Sequence, residues 1–408
     1  MSQRRVIAVS LGAVLAVTLL SAPADAAQPR EATTSVTCPS EVAPITDAQR
    51  DQVKALAATR LADLSGPPTL PFGATGASRY QRTNAYAWTS GFFPTSLWLM
   101  YAIDHDPVWL DRARRYTDRV LPVASWKGTH DLGFMVGQPA RLGLFLDPSP
   151  TRQRRYADAL LTAARTLSDR WNPKVRALRS ATYNGRWGVI IDSVMNAPML
   201  LDAGLILGGA DGQLLMRRGR EHLLTVARTF VRANGSTFHR LTFDPRTGRL
   251  LGPVPGQGLS TSSTWARGQA WAVNGFARGY RLTRDQRLLD AARRTADYWI
   301  SRVPKGCVPA WDLDVIDDRA PRDSSAAAIM ADGLIELAAV ESDAARGSMY
   351  RDYASALLGT LAGPDWLPTG AGVQGLLHRQ AYSIPGDARE GTYVWGDTYL
   401  LASVSSSG

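Results

Sequence analysis

Two aspartates have the surroundings needed for acid and base chemistry. Asp192 lies in Ile190-Ile191-Asp192-Ser193-Val194-Met195-Asn196, where two apolar residues lead straight into the carboxylate. Burial beside an apolar run, with a second carboxylate nearby, raises a carboxyl pKa and lets it donate a proton near neutral pH. Asn196 is four residues on, hence on the same helix face. Asp131, in His130-Asp131-Leu132-Gly133-Phe134, reads on its own as a helix N-cap. A third cluster is Ser263-Thr264-Trp265-Ala266-Arg267-Gly268-Gln269-Ala270-Trp271. Helical spacing puts Arg267 with Trp271 on one face and Trp265 with Gln269 on another. A guanidinium beside an indole suits an anionic sugar, the charge taking a carboxylate and the ring stacking on C–H groups; it also suits a cation–π pair inside a wall. His239 and Gln257 lie just upstream in a stretch rich in Gly and Pro, and Trp88 with Phe92 offers a further aromatic face.

Positioning these groups is a task for helices. Starting at Thr46, which with Gln49 resembles a capping box, the dominant period is helical. The helices come in pairs: one opens with an aromatic-polar or acidic cluster and continues small and apolar, and its partner is amphipathic and rich in arginine. Openings occur at Trp88, His130, Ile191, Ser263, Arg322 and Val394, and outer partners are expected over 46–64, 107–121, 151–171, 213–232, 284–301 and 347–361. Apolar helices belong inside and arginine-faced ones outside. Six such pairs close into an all-α (α/α)6 barrel of six inner and six outer helices, with the polar openings gathered at one end. An open helical solenoid is the alternative, but its repeats would be more regular. Strand alternation is confined to 177–191 and to a hairpin over 238–251.

The chain's 408 residues suit one large closed architecture. Its first residues read as an export signal over 1–26: Arg4 and Arg5, an apolar run from Val6 to Leu20, and Ala24-Asp25-Ala26. That run is shorter than the roughly 20 residues a membrane span needs. Residues 27–45 read as an exposed lead-in and 46–408 as a single barrel domain. A secreted location is therefore expected, with no membrane association after cleavage. Two cysteines, Cys38 and Cys307, allow at most one disulfide and have no metal-ligand spacing. The formal charge of +10 rests on arginines spread along the chain, with only Lys54, Lys127, Lys174 and Lys305 as lysines. No basic stripe with interleaved aromatics supports nucleic-acid binding. Asp323 reads as a helix cap with a local arginine contact, and Asp312, Asp314, Asp317 and Asp318 as a solvated acidic loop lacking the pattern of a calcium site.

Together the openings at His130, Ile191, Ser263 and Arg322 resemble, in order, the motifs of glycoside hydrolase family 88, the unsaturated glucuronyl hydrolases. Of these, the Trp265-Ala-Arg-Gly-Gln-Ala-Trp271 string is the specific one. The resemblance runs from about Thr46 to the C-terminus and implies the same barrel. It implies a substrate whose non-reducing end is a 4,5-unsaturated uronic acid, produced by an upstream polysaccharide lyase, and a reaction that hydrates the vinyl ether bond. It implies Asp192 and Asp131 as the catalytic pair, and Trp88, Phe92, His130, His239, Gln257, Arg267 and Trp271 as sugar contacts, with no metal or organic cofactor. Relatives acting on sulfated sugars carry serine and lysine near the C-terminus; residues 375–390 here hold Ser383 and no lysine, with Arg379 or Arg389 as substitutes. The alternatives are an unsaturated rhamnogalacturonyl hydrolase and a non-catalytic binder of acidic oligosaccharides.

Overall fold

The structure, a computed structural model, describes residues 38–39, 42–76, 79–370, 372–387 and 389–406. The expected signal segment and most of the lead-in lie outside these residues. Among the described residues thirteen α-helices run in chain order as α1 (Asp47–Leu64), α2 (Phe92–Asp104), α3 (Pro107–Val120), α4 (Gln138–Leu146), α5 (Pro150–Ser168), α6 (Ser193–Asn196), α7 (Pro198–Leu207), α8 (Gly209–Phe230), α9 (Ala266–Thr283), α10 (Gln286–Arg302), α11 (Ser324–Val340), α12 (Ala344–Leu361) and α13 (Val394–Ser406). A π-helical turn, Gly133–Gly137, leads into α4.

Helices α2, α4, α7, α9, α11 and α13 form an inner ring, each packed on the next, with α13 returning to α2; the ring passes from α4 to α7 through the π turn and α6. Each of the first five packs against the helix that follows it outside, and α1 covers α13 and α2. The six-pair barrel expected from the sequence is this arrangement. Its physical basis is plain in α11, where Ser324 to Ala331 are all buried, whereas outer α10 buries Leu288, Leu289, Ala291, Ala292, Thr295, Ala296, Tyr298 and Trp299 and leaves its arginine-bearing side outward. Outer arginines find carboxylates on neighbouring elements, as in Arg114 with Asp147, Arg152 with Asp118 and Arg293 with Glu341.

Among the described residues ten short strands join the helices: β1 (Leu70–Thr75), β2 (Gln81–Thr83), β3 (Trp171–Asn172), β4 (Ala177–Leu178), β5 (Ala181–Tyr183), β6 (Arg186–Ile190), β7 (Arg240–Phe243), β8 (Leu250–Pro253), β9 (Gln380–Ala381) and β10 (Glu390–Tyr393). The order β5-β6-β7-β8 occupies the two stretches expected to be extended, while the β2-β1-β10-β9 sheet was not anticipated. Its sequences are short and include Pro71 and Gly73, and their pairing is long-range, so no local alternation announces them.

The α1 capping box forms as expected. Packing extends N-terminal of it: Ile45 is buried and its N–H donates to Ser355 O, and Cys38 is joined to Cys307. One expectation is corrected. Asp312 is fully buried, accepting from Leu259 N, Ser263 Oγ and Asp314 N, and only its neighbours Asp317 and Asp318 are exposed. Among the described residues no helix is long and apolar enough to cross a membrane.

Candidate active site

Strand β6 delivers Asp192. Its last residue, Ile190, is in register with Arg240 of β7, and Ile191 N donates to His239 O, so the chain is extended until it turns into α6. Ser193 Oγ closes that turn on Ile190 O at 2.6 Å and meets His222 Nε2 at 3.0 Å. His222 accepts from Leu178 N, and burial, with a lesser push from His130, holds its pKa down to about 3, so it is a neutral brace. Asn196, one turn on, accepts from Phe134 N at 2.9 Å and so ties this opening to the one carrying Asp131. Gly133 permits that approach, because a Cβ there would sit 2.6 Å from Asn196 Cα. Arg170 anchors the stretch before His130, donating to the carbonyls of Lys127, Arg179 and Ser180.

The result is a trio. His130 Nε2 lies 3.4 Å from Asp131 Oδ1 and 3.4 Å from Asp192 Oδ1, with the three side chains 13–16% exposed. Asp131 Oδ2 also accepts from Thr129 Oγ1 at 2.9 Å. Burial works against the charged imidazole, but the two carboxylates outweigh it and raise the His130 pKa. Burial likewise raises the pKa of Asp131, opposed by His130 and reinforced by Asp192. His130 and Asp131 thus influence each other's protonation. The trio offers three ligand atoms within 4.8 Å of one another, a cluster invisible in the sequence spacing that could hold a cation.

The trio lines a cavity of about 360 Å³ together with Trp88, Tyr183, Ile190, Arg240, Gln257, Trp265, Arg267, Trp271, Tyr382 and Ser383. The polar openings do gather at one end of the barrel, and seven of the nine expected site residues face this space. Phe92 and His239 do not. Phe92 is fully buried and braces Trp88 edge-on at 5.8 Å. His239 stands behind Trp265 with ring centroids 4.4 Å apart; its Nδ1 accepts from Gln257 N at 2.7 Å, and burial, with Arg240 and Arg267 adding to it, keeps it neutral. Gly256 lets the loop lie against it, since a Cβ there would touch Nδ1.

Arg267 is committed inside the wall. It is 1% exposed, pairs with Asp323 at 2.6 Å, donates to Ala381 O and to Tyr382 O, and stacks on Trp265, not Trp271. Gln257 Nε2 donates to the same Tyr382 carbonyl at 2.7 Å. Both therefore hold the segment that presents Tyr382 and Ser383. Asp323 caps α11 as expected, but its arginine is Arg267 and not Arg322. Arg379 is taken up by Glu390 and Arg389 by Asp387.

Sequence reasoning missed Tyr183, Ile190, Arg240, Trp265 and Tyr382 as lining residues. Trp265 was placed on a different face because α9 was taken to begin earlier; it begins at Ala266, and Trp265 precedes it with extended backbone. Tyr183 and Arg240 sit on the strands that the alternation did indicate, which was the available signal.

No family model matches the chain. It is 33% identical over 326 residues to an unsaturated glucuronyl hydrolase of Formosa agariphila, covering 78% of this chain and 79% of that protein. To the unsaturated glucuronyl hydrolase of Bacillus sp. it is 30% identical over 357 residues, with coverage of 82% and 89%. To the unsaturated chondroitin disaccharide hydrolase of Streptococcus pneumoniae it is 30% identical over 349 residues, with coverage of 82% and 85%. Among solved structures, an unsaturated glucuronyl hydrolase specific for heparin superposes with a TM-score of 0.83 at 27% identity, covering 88% of this chain and 97% of that one. With the barrel, the paired aspartates and these relatives in agreement, the chain belongs to the unsaturated glucuronyl hydrolases, glycoside hydrolase family 88, and is a glycosidase.

Proposed function

We propose that the cavity receives a 4,5-unsaturated uronic acid at the non-reducing end of a lyase-generated oligosaccharide, and that Asp192 carries the chemistry. The observation behind this is two carboxylates on one imidazole inside a cavity walled by Trp88, Trp265, Trp271 and Tyr382. Indole and phenol rings pack against the C–H faces of a sugar while leaving its hydroxyls to polar groups. Asp192 gives its proton to C4 of the double bond, which leaves positive charge at C5 shared with the ring oxygen. Water adds at C5 and returns a proton to Asp192, which thus acts as acid and then as base. The hemiketal so formed opens, and the aglycone leaves from C1. Asp131 stabilises the charge developing at C5, and His130 holds both carboxylates in place. Because attack is not at the anomeric carbon, the separation of the carboxylates does not set a retaining or inverting outcome.

Residues 1–26 direct export, and the lyase that makes the substrate acts outside the cell. The Cys38–Cys307 disulfide supports this, because such bonds persist in oxidising compartments. The test is to incubate the purified protein with unsaturated disaccharides from several parent polysaccharides and follow the ultraviolet absorbance of the conjugated double bond. Loss of absorbance with release of the second sugar is expected; unchanged absorbance across the panel refutes the reading. Mass analysis of protein recovered from the medium, expected to start near residue 27, tests the export step.

A further inference from the structure

Two guanidinium groups line the cavity, and they differ in what balances them. Arg267 is neutralised by Asp323, itself 0% exposed, and spends further donors on backbone carbonyls. Arg240 has no carboxylate partner among the described residues. Its Nη1 donates to Pro255 O at 3.2 Å, its Nε is buried without a hydrogen-bond partner, and the group lies 4.9 Å over the Tyr183 ring. An acidic ligand entering a space that already holds Asp131 and Asp192 needs an uncancelled positive charge. His130 is engaged by those two carboxylates and Arg267 by Asp323, which leaves Arg240.

Its position fits one acidic group in particular. Arg240 is in register with Ile190, two residues before Asp192, and lines the same cavity as Asp192. Tyr183, beneath the guanidinium, lines the same cavity as Asp192, and burial raises its hydroxyl pKa with the charge of Asp192 adding to it. On an unsaturated uronate the carboxylate hangs from C5, the atom next to C4, where the proton must arrive. We propose that Arg240 binds this C5 carboxylate and thereby makes the enzyme select an acidic sugar, with Arg267 acting as a positioning residue for the 381–383 segment. This rests on the functional reading above.

The experiment compares wild type, Arg240→Gln and Arg240→Lys on an unsulfated unsaturated disaccharide, its methyl ester and a sulfated disaccharide, with thermal melting recorded for each protein. Wild type is expected to favour the free acid over the ester. Arg240→Gln should raise KM for the acid about a hundredfold with kcat changed far less, leave the ester unaffected, and so abolish the preference. Arg240→Lys should recover part of it. Equal losses on acid and ester, or a preference that survives Arg240→Gln, overturn the assignment. A loss confined to the sulfated substrate also overturns it, because Arg240 then reads a sulfate. A wild-type protein inactive on every disaccharide refutes the functional reading, whereas an active wild type with an unchanged Arg240→Gln refutes this inference alone.

Discussion

His130 Nε2 stands 3.4 Å from Asp192 Oδ1, and Asp131 Oδ1 approaches the same nitrogen at the same distance. An imidazole between two carboxylates keeps its proton to a pH above its ordinary value of 6.5. The alkaline limb of kcat/KM should therefore lie above that value. His130→Gln removes the imidazole whose proton sets that limb, so the limb should move acidward. Superimposable pH profiles for the two proteins would show that the proton is held elsewhere. The same sign governs folding: a raised His130 pKa adds stability that is complete below about pH 6.5 and lost as the pH climbs through the folded value.

The Arg267–Asp323 pair is buried on both sides. Removing one partner strands the other charge, which costs about 3–5 kcal/mol. Both Arg267→Met and Asp323→Asn should lower the urea midpoint accordingly and reduce turnover, because the Tyr382 and Ser383 wall loses its anchor. A midpoint equal to wild type for either variant contradicts the structural role.

Trp265 and Phe92 separate contact from support. Trp265→Ala removes a ring that lines the cavity and should raise KM about 3–10-fold. Phe92→Ala, behind Trp88, should instead destabilise the protein by about 3–5 kcal/mol with a smaller effect on KM in the fraction that remains folded. Steady-state kinetics with melting curves distinguish the two, and the reverse pattern would place Phe92 in the site.

The disulfide closes a loop spanning 269 residues. Cys38→Ser releases that constraint on the unfolded chain and should cost about 2–5 kcal/mol. Equilibrium unfolding with and without reductant checks it: reductant should lower the midpoint of wild type and leave Cys38→Ser where it is. An equal response in both proteins would mean that the bond contributes nothing.

The barrel was legible because burial writes itself locally. Apolar inner helices and arginine-faced outer ones alternate along the chain, and Thr46 with Gln49, or Asp323 before α11, mark helix starts within a few residues. Asp192 and Trp271 were singled out at the helix openings that carry them, whereas Asp131 read on its own as a cap and entered the site only through the family resemblance. What escaped depends on long-range pairing. The register of Ile190 with Arg240 decides that Arg240 faces the cavity, and the partner of Arg267 is 56 residues away. Helical spacing linked Arg267 to Trp271, yet the guanidinium lies on Trp265, outside the helix where that spacing does not apply.

The account turns on Asp192 as proton donor, and the most direct measurement is the rate at which Asp192→Asn consumes the ultraviolet absorbance of an unsaturated disaccharide, paired with a binding titration of the same variant. The asparagine keeps the size of the side chain but cannot cycle a proton. The account predicts that turnover falls by at least about 10²–10⁴-fold while the disaccharide still binds. Absorbance lost at the wild-type rate would contradict it.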